Sequence, residues 1–350
     1  MKIVFYCGHS FEEWSPKSEE KGIGGSEEAV VNLARELTKL GNEVTVYNRC
    51  GDDEGKYDGV KYENYEYFED ITSDIVVFWR QPNYIWQLKD KYKANQTYLW
   101  LHDTVPESEL LKIKHFVDGI FVLSGFHASL YPNMKDKLIR TTNGIKFEDI
   151  KVKRDPYKIV YGSSYDRGLK ELLEMWPEIK AYEKEATLTV FYGMSMIQDE
   201  NFKDEIKHLL NQEGVTELGR ISHKEVAEQF ASAGVWCYPS WFPEISCITA
   251  MKAQAYGAIP VITPTAALQE TVKWGLTTRE PRDHNGEMPW GTEMPTKLMD
   301  QYIKITRKAL NPDYQYRFRQ MMIEDSKRFS WQRVALSWDR LWKFGKSLKK

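Results

Sequence analysis

Cysteine is scarce in this chain. Cys7, Cys50, Cys237 and Cys247 are its four, scattered and without a C-x-x-C pair, which excludes a disulfide framework. Three lie in or beside apolar strand-like runs, the pattern of reduced thiols in a cytoplasmic protein. There is no H-E-x-x-H or Cys/His ligand spacing, so no metal site is expected, and no G-x-S-x-G, so no hydrolase nucleophile is expected. No apolar run could span a membrane, and Ile3–Cys7 is too short for a signal peptide. An excess of one charge is also missing. Lys and Arg number 48 against 51 Asp and Glu, and a net charge of −3 supplies no field to hold nucleic acid as a partner. Repeats and low-complexity segments are absent.

What is present is ordinary globular material, 42% hydrophobic and 28% charged, long enough at 350 residues for two domains. Twelve Trp and twenty Tyr are many; most are expected in packing. Strand-like runs at 2–7, 43–47, 75–79, 98–101 and 119–123 alternate with polar or helical segments. One of these is a helix stripe (Val30, Leu33, Ala34, Leu37, Leu40) ending at Gly41. A charged connector, 146–156, interrupts the alternation. It restarts with a strand at 158–161, a helix at 169–175, a strand at 188–192 and a helix at 202–210. The pattern predicts an α/β chain of two Rossmann-like domains facing across a cleft: 1–150, 151–330, and a final helix at 331–350. Trp331, Val334, Ala335, Trp338, Leu341 and Trp342 share one face of that helix. The face is expected to pack on the protein. The other reading is a peripheral membrane anchor aided by Lys343, Lys346, Lys349 and Lys350.

The most informative segment is 238–263, YPSWFPEISCITAMKAQAYGAIPVIT. Pro239 ends a strand, Glu244 sits in a short loop, Ile248, Met251, Lys252 and Ala255 have helical spacing, and Gly257 stops that helix before the strand 259–262. In open α/β sheets the loops at strand carboxyl ends carry ligands. A carboxylate there can accept sugar hydroxyls, and helix-start amides at Cys247 and Ile248 can hold a phosphate. Gly22-Ile23-Gly24-Gly25-Ser26-Glu27 precedes the first long helix, where glycines admit a pyrophosphate. The plainer alternative is a loop with Ser26 as N-cap. A dinucleotide fingerprint fails here because a long polar loop intervenes and Glu27 takes the third glycine position. Gly162 to Leu169 opens the second half with Arg167, a planar cation suited to phosphate. His102-Asp103 follows a strand; alone it would be read as a loop histidine. Arg80, ending a strand, and Trp14, in the first long loop, are possible acceptor contacts, or simply a surface arginine and a loop aromatic.

These residues resemble the retaining GT-B glycosyltransferases of family 4. Pro239-Ser240, Glu244, Gly257 and Pro260-Val261 match the family's donor-site pattern. Gly24-Gly25-x-Glu27, Asn32-Leu33-Ala34 and Gly41 to Val46 are similar residue for residue. Ser124 to His127 and Thr142 to Ile145 resemble family landmarks near the cleft. In general style the chain is also similar to glycosyltransferases of large algal viruses, though no motif carries that. The resemblance implies a retaining hexosyltransferase using a nucleotide-sugar as substrate, a glycan or other hydroxyl as acceptor, and no cofactor. Glu244 and His102 would be catalytic, and Gly24, Gly25, Arg167, Cys247 and Ile248 would bind the donor diphosphate. The D-x-D motif of the other large glycosyltransferase fold is missing, which implies metal-independent transfer. Two positions depart from the pattern. Ser163 stands where the family has a cation. Lys252 replaces the carboxylate that binds the ribose diol, and lysine cannot accept from a diol. These departures favour the alternative of a GT-B protein that binds sugar or nucleotide without transfer.

Overall fold

The computed structural model describes residues 1–195, 197–279 and 294–345. The chain divides into two compact units, Met1–Lys146 with Phe329–Lys350, and Phe147–Arg328.

In the first unit the described residues form an eight-stranded sheet: β1 (Lys2–Gly8), β2 (Glu43–Asn48), β3 (Gly55–Tyr57), β4 (Val60–Asn64), β5 (Ile71–Trp79), β6 (Tyr92–Trp100), β7 (Gly119–Val122) and β8 (Leu138–Arg140). Their order is β3-β4-β2-β1-β5-β6-β7-β8, parallel except for β3, which pairs antiparallel with β4. Apolar runs such as Ile3 to Cys7 are buried, as strands covered on both faces require. The chain fills one side of β1 first and then returns to start β5 on the other, so the direction of winding switches between β1 and β5. Open sheets bind ligands at the carboxyl ends flanking such a switch.

The helix Gly25–Lys39 buries Val30, Leu33, Ala34 and Leu37, as the spacing predicts. The last helix, Trp331–Phe344, packs against it. Trp338 stacks on Phe121 with ring centroids 3.7 Å apart and donates from its indole to Thr141 at 2.8 Å. Asn42 donates to Asp339 at 3.0 Å. The apolar face therefore meets protein. Lys343 pairs with Asp339, while Lys346, Lys349 and Lys350 lie outside the described residues. Among the described residues no helix is long and apolar enough to cross a membrane.

In the second unit β9 (Asp155–Gly162), β10 (Thr187–Phe191), β11 (Val215–Glu217), β12 (Ala233–Tyr238), β13 (Ile259–Ile262) and β14 (Leu276–Thr277) form a parallel sheet in the order β11-β10-β9-β12-β13-β14. Here the switch lies between β9 and β12. The helix after β9 runs Leu169–Tyr182, well past Met175, because Trp176 and Ile179 continue its buried stripe through Pro177. The helices Thr296–Ala309 and Pro312–Ser326 were not foreseen from the sequence. The first carries the buried Tyr302, whose hydroxyl accepts from the Tyr238 amide at 2.7 Å and donates to the Val261 carbonyl, tying the end of β12 to β13. All four cysteines are free and buried.

Candidate active site

The switch point of the second unit gathers several of the expected residues. β9 ends at Gly162 and β12 at Tyr238, neighbours in the sheet, so the loops that follow them meet. Gly168 has φ +98° and lies so close to Pro239 that a methyl group there would overlap the Pro239 carbonyl. Only glycine fits, and this close approach seats the Arg167 loop against the Glu244 loop. Arg167 Nη1 donates to Glu244 Oε1 at 3.1 Å, and its guanidinium lies 3.7 Å from the centre of the Phe242 ring. Tyr238 donates its hydroxyl to the same Oε1 at 2.6 Å. Ser163 donates to the Tyr238 hydroxyl at 3.4 Å.

Glu244 is 6% exposed. Its backbone is fixed on both sides: its amide donates to the Phe242 carbonyl at 2.8 Å, and its carbonyl accepts from Ala267 at 2.9 Å. Burial pulls the Arg167 guanidinium down, but Glu244 and Tyr238 outweigh it and hold Arg167 above the ordinary arginine value. Burial first, then the Glu244 charge, push the Tyr238 phenol well up, so it stays a neutral donor. Cys247 is the N-cap of the helix Ile248–Tyr256 and accepts from Ala250 at 3.4 Å. Burial and Glu244 raise its thiol well above the usual range, so it remains uncharged. Lys252 is half-buried on the same helix.

The first unit has its own cluster. Gly24, not Ser26, is the N-cap of Gly25–Lys39, and no side chain caps that end through a hydrogen bond. Instead Glu27 folds back so closely that a side chain at Gly24 would overlap its carboxylate. Arg80 ends β5 with φ +65°, a conformation non-glycine residues adopt under constraint. It is held by Asp103, through both Nε and Nη2 (2.8 Å for the latter), and by Glu27 at 3.4 Å. Burial raises the Glu27 carboxyl despite the opposing pull of Arg80. His102 is 8% exposed against Trp100 and Trp79, and among the described residues its Nε2 has no hydrogen-bond partner. Burial, reinforced by Arg80 and His127, holds its imidazole well below the ordinary value, so it is neutral at pH 7. A neutral imidazole can exchange hydrogen bonds with a sugar hydroxyl without repelling positive charge on a reacting ring.

One expected contact is corrected. Trp14 is 3% exposed and packs against Trp79, with its amide bonded to Arg49 and its carbonyl to Asn48, so it is a core residue beneath its loop rather than an exposed aromatic. The sequence reading missed Tyr238 and Phe242 and gave no role to Glu27 or Asp103. For Tyr238 the only signal was a hydroxyl-bearing aromatic directly before Pro239. The landmark segments are structural. Ser124 caps the short helix Gly125–Ser129, and Ile145 donates to the Phe329 carbonyl at 2.7 Å.

Solved structures share this fold across nearly the whole chain. A sucrose-phosphate synthase from Thermosynechococcus elongatus is 15% identical with a TM-score of 0.73, covering 98% of each chain. A glycosyltransferase from Rickettsia africae is 14% identical at a TM-score of 0.68, covering 97% of each chain. Anabaena Alr3699/HepE, solved with UDP and glucose, is 11% identical at 0.67, covering 97% of this chain and 98% of that one. A comparison with curated proteins gave no sequence match. The fold is GT-B, two Rossmann-like α/β units with a returning C-terminal helix. Residues 144–279 match the family of glycosyl transferases group 1. The match lies within the second unit and its flanking linker and is to that family's sequence pattern, while the solved structures extend the likeness in fold to the rest of the chain. Nothing in these matches supports a viral origin.

Proposed function

We propose that the chain is a metal-independent hexosyltransferase that takes a nucleotide-sugar as donor and a hydroxyl, on a glycan or another acceptor, as nucleophile. One observation carries this reading: a carboxylate and a guanidinium, Glu244 and Arg167, meet at the carboxyl ends of β12 and β9, beside a helix N-terminus. That pairing supplies the two things the chemistry needs, an acceptor for sugar hydroxyls and a cation for a leaving diphosphate. The UDP and glucose bound by the Anabaena relative suggest the kind of donor. Here Arg167, the amides near Cys247 and Ile248, and the glycines Gly24 and Gly25 bind the diphosphate. Glu244 holds the sugar and steadies positive charge on its ring, and neutral His102 contributes a hydrogen bond. Arg80 is assigned to the acceptor side. We also assign donor binding to the second domain, from about residue 151, and acceptor binding to the first.

In the reaction the bond from the anomeric carbon to the phosphate oxygen breaks as the acceptor oxygen bonds to that carbon on the same face. The acceptor proton passes to the departing phosphate. Positioned cations and amides stabilise the charge that develops there.

The test is nucleotide release from UDP-, GDP- and ADP-glucose with EDTA present. Slow release from one donor is expected. Binding detected by thermal shift without any release, with or without acceptor sugars, would return the chain to the binding-protein reading that Ser163 and Lys252 favour.

A further inference from the structure

We infer that Tyr238 is a positioning residue that fixes Glu244 in one rotamer, with one carboxylate oxygen turned to the sugar, and that Ser163 anchors Tyr238 in turn. This rests on the role proposed for Glu244. Two donors, the Tyr238 hydroxyl at 2.6 Å and Arg167 Nη1 at 3.1 Å, converge on Oε1 alone. Among the described residues Oε2 has no hydrogen-bond partner. The Glu244 backbone is already held by Phe242 and Ala267. The freedom left to this residue is rotation of its side chain, and Tyr238 removes it.

Tyr238 is well suited to this. It is fully buried, its ring stacks on Trp236 with centroids 5.2 Å apart, and its amide is bonded to Tyr302. Its hydroxyl hydrogen is directed to Glu244 because its oxygen accepts from Ser163 Oγ. The relay Ser163 to Tyr238 to Glu244 gives a serine in the cation position a use that a plain loss of charge would not. Tyr238 also matters most when a donor is bound. Arg167 is shared between Glu244 and the proposed diphosphate, whereas among the described residues the Tyr238 hydroxyl is hydrogen-bonded to Glu244 and Ser163. It is then the donor that keeps the carboxylate in place.

The experiment is a double-mutant cycle on the full chain, using the sugar nucleotide that proves active among UDP-, GDP- and ADP-glucose. Tyr238→Phe keeps the ring and removes only the hydroxyl. It is expected to lower kcat by roughly tenfold or more with little change in donor KM, on the scale of a lost hydrogen bond to a charged group. Ser163→Ala should act in the same direction with a smaller effect. In a Glu244→Gln background Tyr238→Phe should have no further effect. The inference is overturned if Tyr238→Phe keeps the normal kcat, or if it lowers kcat equally in both backgrounds, as loosened packing would. If Glu244→Gln itself retains the normal rate, or no donor is turned over, the proposed catalytic role fails rather than the positioning alone.

Discussion

At the scale of single residues, burial sets the charge states. His127 lies wholly inside the first unit. Its Nδ1 accepts from the Leu123 amide at 3.2 Å, which leaves the ring proton on Nε2. Burial, only partly offset by a hydrogen bond with the Asp103 backbone, pushes its pKa down to about 4. A histidine in the unfolded chain titrates near ~6.5. Below that pH the unfolded state binds a proton that the folded state refuses until about pH 4, so the contribution is complete above pH 6.5 and is lost as the pH falls. Wild-type protein should lose about 2 kcal/mol more stability between pH 7 and pH 4.5 than His127→Gln. Urea unfolding at the two values measures this, and equal losses would contradict the assignment. The buried His102 shifts in the same direction and adds to the slope in both proteins.

At the scale of elements, two glycines with left-handed backbone separate close approach from strain. Gly41 has φ +82° and open space around it, while Gly168 has φ +98° and no room before the Pro239 carbonyl. Gly41→Ala should cost about 1 kcal/mol, the strain alone. Gly168→Ala should cost more, about 2–3 kcal/mol, and should also slow transfer by shifting Arg167. Thermal and urea unfolding rank the two; equal losses would show that the Arg167 and Glu244 loops are not in tight register. The same elements show what was legible. Alternating apolar runs and stripes gave the central strands and the helix Gly25–Lys39, since burial against a sheet fixes those patterns. The positions of Glu244 and Arg167 in loops at strand carboxyl ends were legible from the Pro239 and Gly162 strand stops, and the structure brings the two side chains to 3.1 Å. Tyr238 was not, because a strand-terminal tyrosine reads as core until the register shows its hydroxyl on Glu244. Trp14 misled because a polar loop hides the inward turn set by its bonds to Arg49 and Asn48. The strand order, and with it the two switch points, depends on pairings distant in sequence that no local pattern carries.

At the scale of the whole molecule, the first unit is built from both ends of the chain, and Trp338 packs its closing helix on Phe121 and Trp100 and bonds it to Thr141. Trp338→Ala should destabilise that unit by about 3–5 kcal/mol, the cost of emptying a buried indole site. Denaturant unfolding would show it, and a loss below 1 kcal/mol would mean the helix is held elsewhere. The central claim is that this GT-B chain transfers sugar through Glu244. The most direct measurement compares nucleotide release from the active sugar nucleotide, in EDTA, by the native protein and by Glu244→Gln. The account predicts metal-independent release that falls by two or more orders of magnitude in the variant, about 3 kcal/mol of transition-state stabilisation. A variant that releases nucleotide at the native rate would contradict it.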